Sequence, residues 1–595
     1  MQLSVLDWAI IAVFFVASLL IGLWASRRSG QSSSEFFLSG RSMPWWLLGV
    51  SMVATTFSAD TPNLVTDIVR KNGVAGNWVW WAFLLTGMLT VFVYARLWRR
   101  SGVMTDLEFY ELRYSGPAAA FLRGFRALYL GVFFNVLVMA SVCLAAIKIG
   151  GVLLDLAPWQ SLLLGSLITV TYSVLGGLRG ILYTDFFQFI LAMVGTVAAA
   201  VVIVNLPEVG GLENLLAHPE VSTRTAILPD FRDRELVVSL LVVPLAVQWW
   251  ASYYPGAEPG GGGYVAQRML AAKDEQNAMG ATLFYNIAHY ALRPWPWILI
   301  ALASLIVYPD TEALRVAYPN FTGKIDDDLA YPAMLNFLPS GLLGLVVASL
   351  LGAFMSTIST HLNWGSSYIV HDWYLRFIRP DAEEKDLVRV GRISTVLLMA
   401  AAALIALVLE NALQAFDIIV LVGAGTGLLF ILRWFWWRIS AYSEIAALIL
   451  SFLVAVYLEF IHPELGFEAI QGHRKLLIGV GLTTVGWILV TLLTPPTEEG
   501  QLLRFFQQIR PAETGWRWVA DRARAEGLIG EQTESLGRLP LEILGMLLGC
   551  FAVYGALFCT GYYLYGAYTS AGFALALTLL CSGGIFWIWG KINQR

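Results

Sequence analysis

Charged residues are scarce in this sequence. Asp, Glu, Lys and Arg together make up 13% of its 595 residues, whereas about 25% is usual in a soluble domain. Apolar residues make up 57%, and the mean hydropathy is +0.66. A soluble enzyme, a disordered chain and a disulfide-stapled secreted domain are therefore excluded. The composition predicts a polytopic membrane protein.

Cysteine and histidine are also few. The four cysteines show no Cys-x-x-Cys spacing, and the six histidines form no pair with the spacing of a haem or zinc site. The net charge of −4 argues against a nucleic-acid partner. The glycine run Gly260–Gly263 lacks the Lys-Ser/Thr that follows in a phosphate-binding loop. We therefore expect no cofactor, and any pumping must draw on an ion gradient.

Long apolar runs dominate the sequence instead. A bilayer core needs roughly 20 mostly apolar residues per helix, and the chain contains about fifteen such runs. Lys and Arg are concentrated on alternate loops, which predicts an N-terminus outside and a C-terminus in the cytoplasm. We therefore expect an all-α, multi-pass protein of the plasma (inner) membrane, with a cytoplasmic insert at about residues 495–540.

Polar clusters occur inside two of these runs, where unpaired polar groups are costly. In the second run, hydroxyl groups, Asp60 and Pro62 interrupt the helix within residues 51–63. Discontinuous helices of this kind form substrate and ion sites in many transporters. In the ninth run, four polar residues share one helical face: Ser356, Ser359, Thr360 and Asn363. Their oxygens suit an alkali cation, but such stripes also join packed helices.

Two charged residues inside runs leave alternatives open. Asp185 lies near the start of the sixth run, where a lone Asp is often only a helix cap. Arg293 lies in the eighth run on the same face as His289, and an intramembrane arginine usually has an anionic partner. That partner is a residue of the chain such as Asp60 or Asp417, a substrate carboxylate, or a helix C-terminus.

Five segments, in order, resemble the sodium/solute symporter family, which includes sodium-coupled sugar, sialic acid, proline and iodide carriers. The most specific is Tyr183-Thr-Asp-Phe-Phe-Gln188 with the preceding Tyr172-Ser-Val-Leu-Gly-Gly. The others are residues 36–41, 105–114, 264–273 and 353–363. The resemblance implies a LeuT-like core of ten helices in two inverted five-helix repeats.

The resemblance also implies a division of the chain. Residues 1–45 hold an additional N-terminal helix and a cytoplasmic loop. Residues 46–205 and 206–440 are the two repeats, and each begins with an interrupted helix. Residues 441–595 form accessory helices around the cytoplasmic insert.

Carried over residue by residue, the resemblance implies two sites for Na+, the coupling ion. The shared site uses the backbone carbonyls of Ala54, Phe57 and Ala353 and the hydroxyls of Ser356 and Thr357. A second site, which some members have, uses Asp185, Ser356, Ser359 and Thr360. The substrate-binding candidates are Thr56, Ser58, Thr61, Trp80, Gln248, Trp249, Tyr253 and Asp417.

The resemblance leaves the solute open. Thr61 stands where sugar carriers have a sugar-contacting Gln, and Trp80 stands near the position of an acidic residue that binds sugar. Tryptophans suit a sugar ring or a quaternary amine, whereas Arg293 would suit an anion. A sugar, a sialic-acid-like molecule, another organic anion and an amine therefore all remain candidates.

The expected function is sodium-coupled import of a small organic solute by alternating access, with the solute, Na+ and the bilayer as partners. One alternative is a transporter-derived sensor or channel, which would bind solute and sodium without uphill accumulation. Another is a membrane acyl- or glycosyltransferase that uses His289, which would need a convergent acid–base pair. We expect a transporter rather than an enzyme.

Overall fold

The computed structural model describes residues 3–154, 156–251, 259–319, 325–408, 423, 425–468, 470–530 and 538–593. These residues are mostly helical, and they contain no β-strand beyond an isolated bridge between Met43 and Ala272. Among them are 11 helices that are long and apolar enough to cross a membrane. The all-α membrane fold is therefore confirmed, whereas the predicted number of spans stays a prediction.

The longer helices are numbered here in chain order, and shorter helical segments between them carry no number. The first six are α1 (Val5–Ser29), α2 (Trp45–Thr56), α3 (Thr61–Asn72), α4 (Val74–Ser101), α5 (Gly116–Gly151) and α6 (Pro158–Val204). The next five are α7 (residues 234–246), α8 (Gly263–Ala271), α9 (Glu275–Val307), α10 (Leu342–Ile378) and α11 (Glu384–Val408). The last six are α12 (Ala441–Glu464), α13 (Gly472–Leu493), α14 (Glu499–Ile509), α15 (Arg517–Ala525), α16 (Leu539–Leu564) and α17 (Tyr568–Asn593).

Helix α6 contains two predicted apolar runs in 47 residues. They meet at Gly177, which has φ 53° and ψ −157° and so interrupts the helical geometry. Because a side chain is strained at such a φ, glycine suits this position. The fifth and sixth runs are therefore joined without a loop.

The second run is interrupted as predicted. Helix α2 ends at Thr56, Phe57 leaves the helical region with φ −85° and ψ 64°, and α3 begins at Thr61. Pro62 occupies the first turn of α3, where its missing N–H would have no helical partner in any case. The last carbonyl groups of α2 therefore lie at a helix end inside the bundle.

The seventh run is also interrupted. Helix α7 is followed by a 3₁₀ turn, Gln248–Trp250, and α8 begins at Gly263. Part of the connection, residues 252–258, lies outside the described residues. Two broken helices thus occur at the positions that the repeat prediction gave them, while the repeat boundaries themselves stay a prediction.

Close contacts hold the broken helix α2 in place. A Cβ at Gly49 would lie 2.8 Å from the carbonyl oxygen of Ala281, so glycine lets α2 and α9 approach closely. Helix α6 in turn packs against α10, where the hydroxyl group of Tyr172 donates to the carbonyl of Met355 at 3.0 Å. Helices α2, α6, α9 and α10 therefore surround the interruption.

Helix α1 fixes the start of α10. The buried Asp7 carboxylate accepts hydrogen bonds from the amides of Gly341 and Gly344, at 2.7 and 2.8 Å. Gly341 is the N-cap residue of α10 and Gly344 lies in its first turn, where N–H groups have no partner within the helix. A side chain from one helix thus caps another.

The accessory helices pack on the outside of the bundle. Helix α16 lies on α4 and α9, since Tyr554 donates to the carbonyl of Trp81 at 2.8 Å and Trp295 donates to that of Leu557 at 2.9 Å. The insert helices α14 and α15 lie at one end of the bundle. Arg100 donates to the carbonyl of Ile509 at 2.7 Å there.

Candidate functional site

The interruption after α2 faces the middle of α10. The Thr357 hydroxyl donates to the carbonyl oxygens of Thr55, at 2.9 Å, and Ala353, at 3.1 Å. The two helices that carry the predicted shared sodium site are thus in direct contact. Ala54 and Phe57 stand on the α2 side of this contact, and Ser356 stands beside Thr357 on α10.

The predicted second site adjoins the first. Ser356 lies beside the Asp185 carboxylate, and Ser359 donates to the carbonyl of Ser356 at 3.0 Å. Asp185, Ser359 and Thr360 are each 0% exposed. Asp185 is therefore not a surface helix cap but a carboxylate deep in the helix bundle, where it requires a partner.

Apart from the contact between Ser356 and the Asp185 carboxylate, two oxygens of this second site have no hydrogen-bond partner in the described structure. They are Ser356 Oγ and Asp185 Oδ1, and both atoms are buried. Buried polar atoms without a partner are rare in native proteins and call for an explanation. A sodium ion, which binds hard oxygen ligands, would satisfy both atoms together.

Three further residues complete the second site, and they were not among the predicted ligands. Ser51 donates to Asp185 Oδ2 at 2.5 Å and accepts from Arg268 Nε and Nη2, at 3.3 Å each. Arg268 Nη2 also donates to Thr360 Oγ1 at 2.7 Å. Thr55 Oγ1 lies 3.0 Å from Thr360 Oγ1. The site therefore joins α2, α6, α8 and α10.

The substrate candidates on α2, α3 and α4 cluster around His289. The Thr56 hydroxyl lies 3.2 Å from His289 Nδ1, and Thr61 donates to the carbonyl of Thr56 at 3.3 Å. The Trp80 ring meets the His289 ring edge-on at 5.6 Å and stacks on Tyr290 at 5.8 Å. Thr56 and Thr61 at the interruption and Trp80 on α4 therefore lie around the same histidine.

Among the candidates of the seventh run, Gln248 adjoins the same region. Gln248 Nε2 donates to the carbonyl of Val79, the residue before Trp80, at 2.9 Å. Trp249 packs on Trp250, with ring centroids 5.8 Å apart. Both Gln248 and Trp249 remain partly exposed. Tyr253 and Asp417, the other two candidates, lie outside the described residues.

Asp60 brings a carboxylate to this region. It lies in the interruption beside Ser58, and it is exposed, whereas the three residues before it are buried. The region around the interruption therefore combines aromatic rings, hydroxyls, an amide and an acidic group.

Arg293 lies next to His289 but is buried. Its side chain is buried, with the guanidinium 5.3 Å from the Trp297 ring and 6.0 Å from the Phe57 ring. Nη1 lies 3.5 Å from the Val53 carbonyl, and Nη2 lies 3.4 Å from His289 Nε2. These contacts place Arg293 between α2 and α9, directly behind His289.

A sequence model of the sodium:solute symporter family matches residues 36–451. The chain belongs to this family. It is a sodium-coupled symporter of a small solute and not an enzyme. The match spans the interrupted helix, Asp185 and the polar stretch of α10, so the residues around the interruption lie within the family's common part.

Two relatives match over most of their length. A sodium/glucose cotransporter of Vibrio parahaemolyticus is 27% identical over 487 residues, which cover 78% of this chain and 87% of the relative. A sodium/myo-inositol cotransporter of Oryctolagus cuniculus is 27% identical over 540 residues, covering 83% of this chain and 77% of the relative.

The fold also matches a solved structure. A sodium-coupled sialic acid symporter in a substrate-bound outward-open state aligns with a TM-score of 0.65 and 19% sequence identity. The alignment covers 83% of this chain and 99% of the other. The LeuT-like fold that the resemblance implied is thereby confirmed.

Proposed function

We propose that this symporter imports a neutral polyhydroxylated solute, a sugar or polyol, together with two sodium ions. The observation that supports the solute class best is the exposed Asp60 carboxylate in the interruption, next to Thr61, which contacts Thr56. A carboxylate and amide accept hydrogen bonds from hydroxyl groups, and an indole face packs on a sugar ring. The named substrates of the two relatives, glucose and myo-inositol, belong to the same class.

The position of Arg293 argues against an organic anion. An anionic solute requires a cationic group at the pocket, but Arg293 is 1% exposed behind Phe57 and Trp297. Asp60 would repel an anion as well. A sialic-acid-like solute is therefore less favoured than a neutral one, although both bind carriers of this fold.

An organic amine is the second candidate. The Asp60 carboxylate would pair with the positive charge of the amine, and aromatic rings such as that of Trp80 would add cation–π contacts. The two candidates differ in how they depend on the charge of Asp60. A sugar needs only a hydrogen-bond acceptor at this position, whereas an amine needs the negative charge.

In the proposed mechanism, sodium occupies both sites while the carrier is open to the outside. An ion in the shared site would bridge α2 and α10, and an ion in the second site would bridge α2, α6 and α10. Ion binding would therefore fix the position of the interruption, which carries Thr56 and Thr61. Each positive charge that moves inward through 100 mV contributes about 2.3 kcal/mol. Two ions contribute about twice that value, in addition to their concentration gradient.

The orientation in the membrane completes the proposal. The distribution of Lys and Arg supports an N-terminus outside and a C-terminus in the cytoplasm of the plasma (inner) membrane. Alternating access would then be rocking of one bundle of helices against the other. The domain boundaries at residues 46–205 and 206–440 belong to the same proposal.

A panel of solutes tests the substrate class. Purified protein is heated with glucose, myo-inositol, choline or sialic acid, each in sodium and in potassium, because a ligand of the folded state raises the apparent melting temperature. We expect a sugar or polyol to stabilise the protein in sodium only. In Asp60→Asn, a sugar should bind more weakly but measurably, whereas an amine should lose binding entirely.

A further inference from the structure

Arg268 stands out among the buried residues because it joins three helices at the second sodium site. It lies on α8, the half-helix that follows the second interruption, and it is 0% exposed. It donates to Ser51 on α2 and to Thr360 on α10. Ser51 in turn donates to Asp185 on α6. One cation thus already engages the oxygens around Asp185.

We propose that Arg268 is the counter-ion of Asp185 in the sodium-free carrier, and that Arg268 and the second sodium ion occupy this site in turn. The inference rests on the proposed second sodium site. An arginine is always protonated in a protein, so Arg268 supplies a permanent positive charge. Two cations that share Ser51, Thr360 and Asp185 repel each other, since a low dielectric strengthens their interaction.

The oxygen atoms support this alternation. Thr360 Oγ1 is a predicted sodium ligand, but it accepts a hydrogen bond from Arg268 at 2.7 Å. Ser356 Oγ lies beside the Asp185 carboxylate, and the guanidinium bonds neither Ser356 Oγ nor Asp185 Oδ1. The guanidinium therefore engages two oxygens of the site, Ser51 Oγ and Thr360 Oγ1, and leaves these two to another cation.

The exchange of Arg268 for sodium bears on the step in which the empty carrier returns. A symporter that has released its ions must return empty, and an unpaired carboxylate in the bundle would strongly oppose that step. Arg268 neutralises Asp185 without an ion from solution. Because Arg268 extends from α8, displacing it also removes the bonds that it makes from that half-helix to α2 and α10, which links ion binding to helix movement.

Sodium titration of Arg268→Gln tests the proposal on purified protein without any solute. Gln keeps a hydrogen-bond donor but removes the charge that competes with sodium. We expect the sodium concentration that gives half-maximal thermal stabilisation to fall about tenfold, within the usual range for coupled sites. Arg268→Lys, which keeps the charge, should stay close to the wild type.

Two further variants make the result specific. Arg113→Gln removes another buried arginine, which bonds to the backbone carbonyls of Arg433, Trp436 and Trp437 far from the site. It should lower the melting temperature and leave the sodium midpoint unchanged. Arg268→Gln combined with Asp185→Asn should recover the sodium-free stability that Arg268→Gln alone loses, because both charges are gone.

Each outcome bears on a distinct claim. A sodium midpoint for Arg268→Gln that equals the wild type or lies above it would overturn the counter-ion role. If Arg268→Gln does not fold, recovery of folding by Asp185→Asn supports the pairing, and failure to recover contradicts it. If the wild type itself shows no stabilisation by sodium, the proposed sodium sites fail before Arg268 is tested.

Discussion

At the scale of single residues, the sequence indicated the polar stripe of α10 but not its neighbours on other helices. The stripe Ser356, Ser359 and Thr360 follows from helical spacing alone, and Ser356 lies beside Asp185, while their role as sodium ligands stays a prediction. Ser51 and Arg268 were not predicted as site residues, because their partners lie on other helices and the register between helices is set by packing. The sequence signal for Ser51 was its place at the start of the hydroxyl-rich stretch of α2.

Removing the hydroxyls of the shared site should remove sodium binding there. In Ser356→Ala combined with Thr357→Ala, two of the five proposed ligands are gone, so sodium should no longer raise the melting temperature or drive uptake. The control is Ser367→Ala. In the described structure, the buried hydroxyl of Ser367 donates only to the carbonyl of Trp364 on the same helix. Normal sodium-driven uptake by the double variant would reject this site.

Neutralising the carboxylate of the second site should remove one ion. Asp185→Asn keeps the size of the side chain but loses the charge that holds the second sodium, so we expect the Hill coefficient for sodium-dependent uptake to fall towards one. The measurement is initial uptake rate against sodium concentration in proteoliposomes. An unchanged coefficient above one would show that the second ion binds elsewhere.

At the scale of helices, local chemistry predicted the breaks but not every join. Pro62 and the surrounding hydroxyls indicated the interruption between α2 and α3, and Pro62 indeed lies in the first turn of α3. The direct join of two runs at Gly177 was not predicted, because the pair Gly176-Gly177 lies within an apolar stretch and only its backbone angle distinguishes it. The cap that Asp7 provides to α10 also depends on packing between helices.

Loss of that cap should weaken the helix that carries the sodium ligands. Asp7→Ala leaves the Gly341 and Gly344 amides without their acceptor, which should cost about 1–2 kcal/mol of stability. The control, Asp310→Ala, removes an exposed cap that accepts from Ala313 at 2.8 Å on a short helix. Thermal melting of both variants without sodium should show a clear loss for Asp7→Ala only; equal losses would contradict the role assigned to the cap.

At the scale of the whole molecule, the family core and the accessory part differ in how far the sequence explains them. Composition and hydrophobic runs predicted the membrane fold, and the motifs within residues 36–451 predicted the family. The insert was predicted only as a cytoplasmic loop, whereas it packs closely: Trp516 donates to the carbonyl of Trp434 at 2.9 Å and lies under the Arg113 guanidinium at 4.7 Å. Such a contact between distant segments has no signature in local sequence.

The coupling of solute to sodium is the central claim, and uphill uptake tests it most directly. Purified protein in proteoliposomes is given an inward sodium gradient and an inside-negative potential, and the labelled sugar or polyol that stabilised the protein is added outside. We expect accumulation above the external concentration, abolished when potassium replaces sodium or when the gradient is dissipated. Uptake that only reaches the external concentration, or that proceeds equally in potassium, would contradict sodium-coupled symport and favour a channel or sensor.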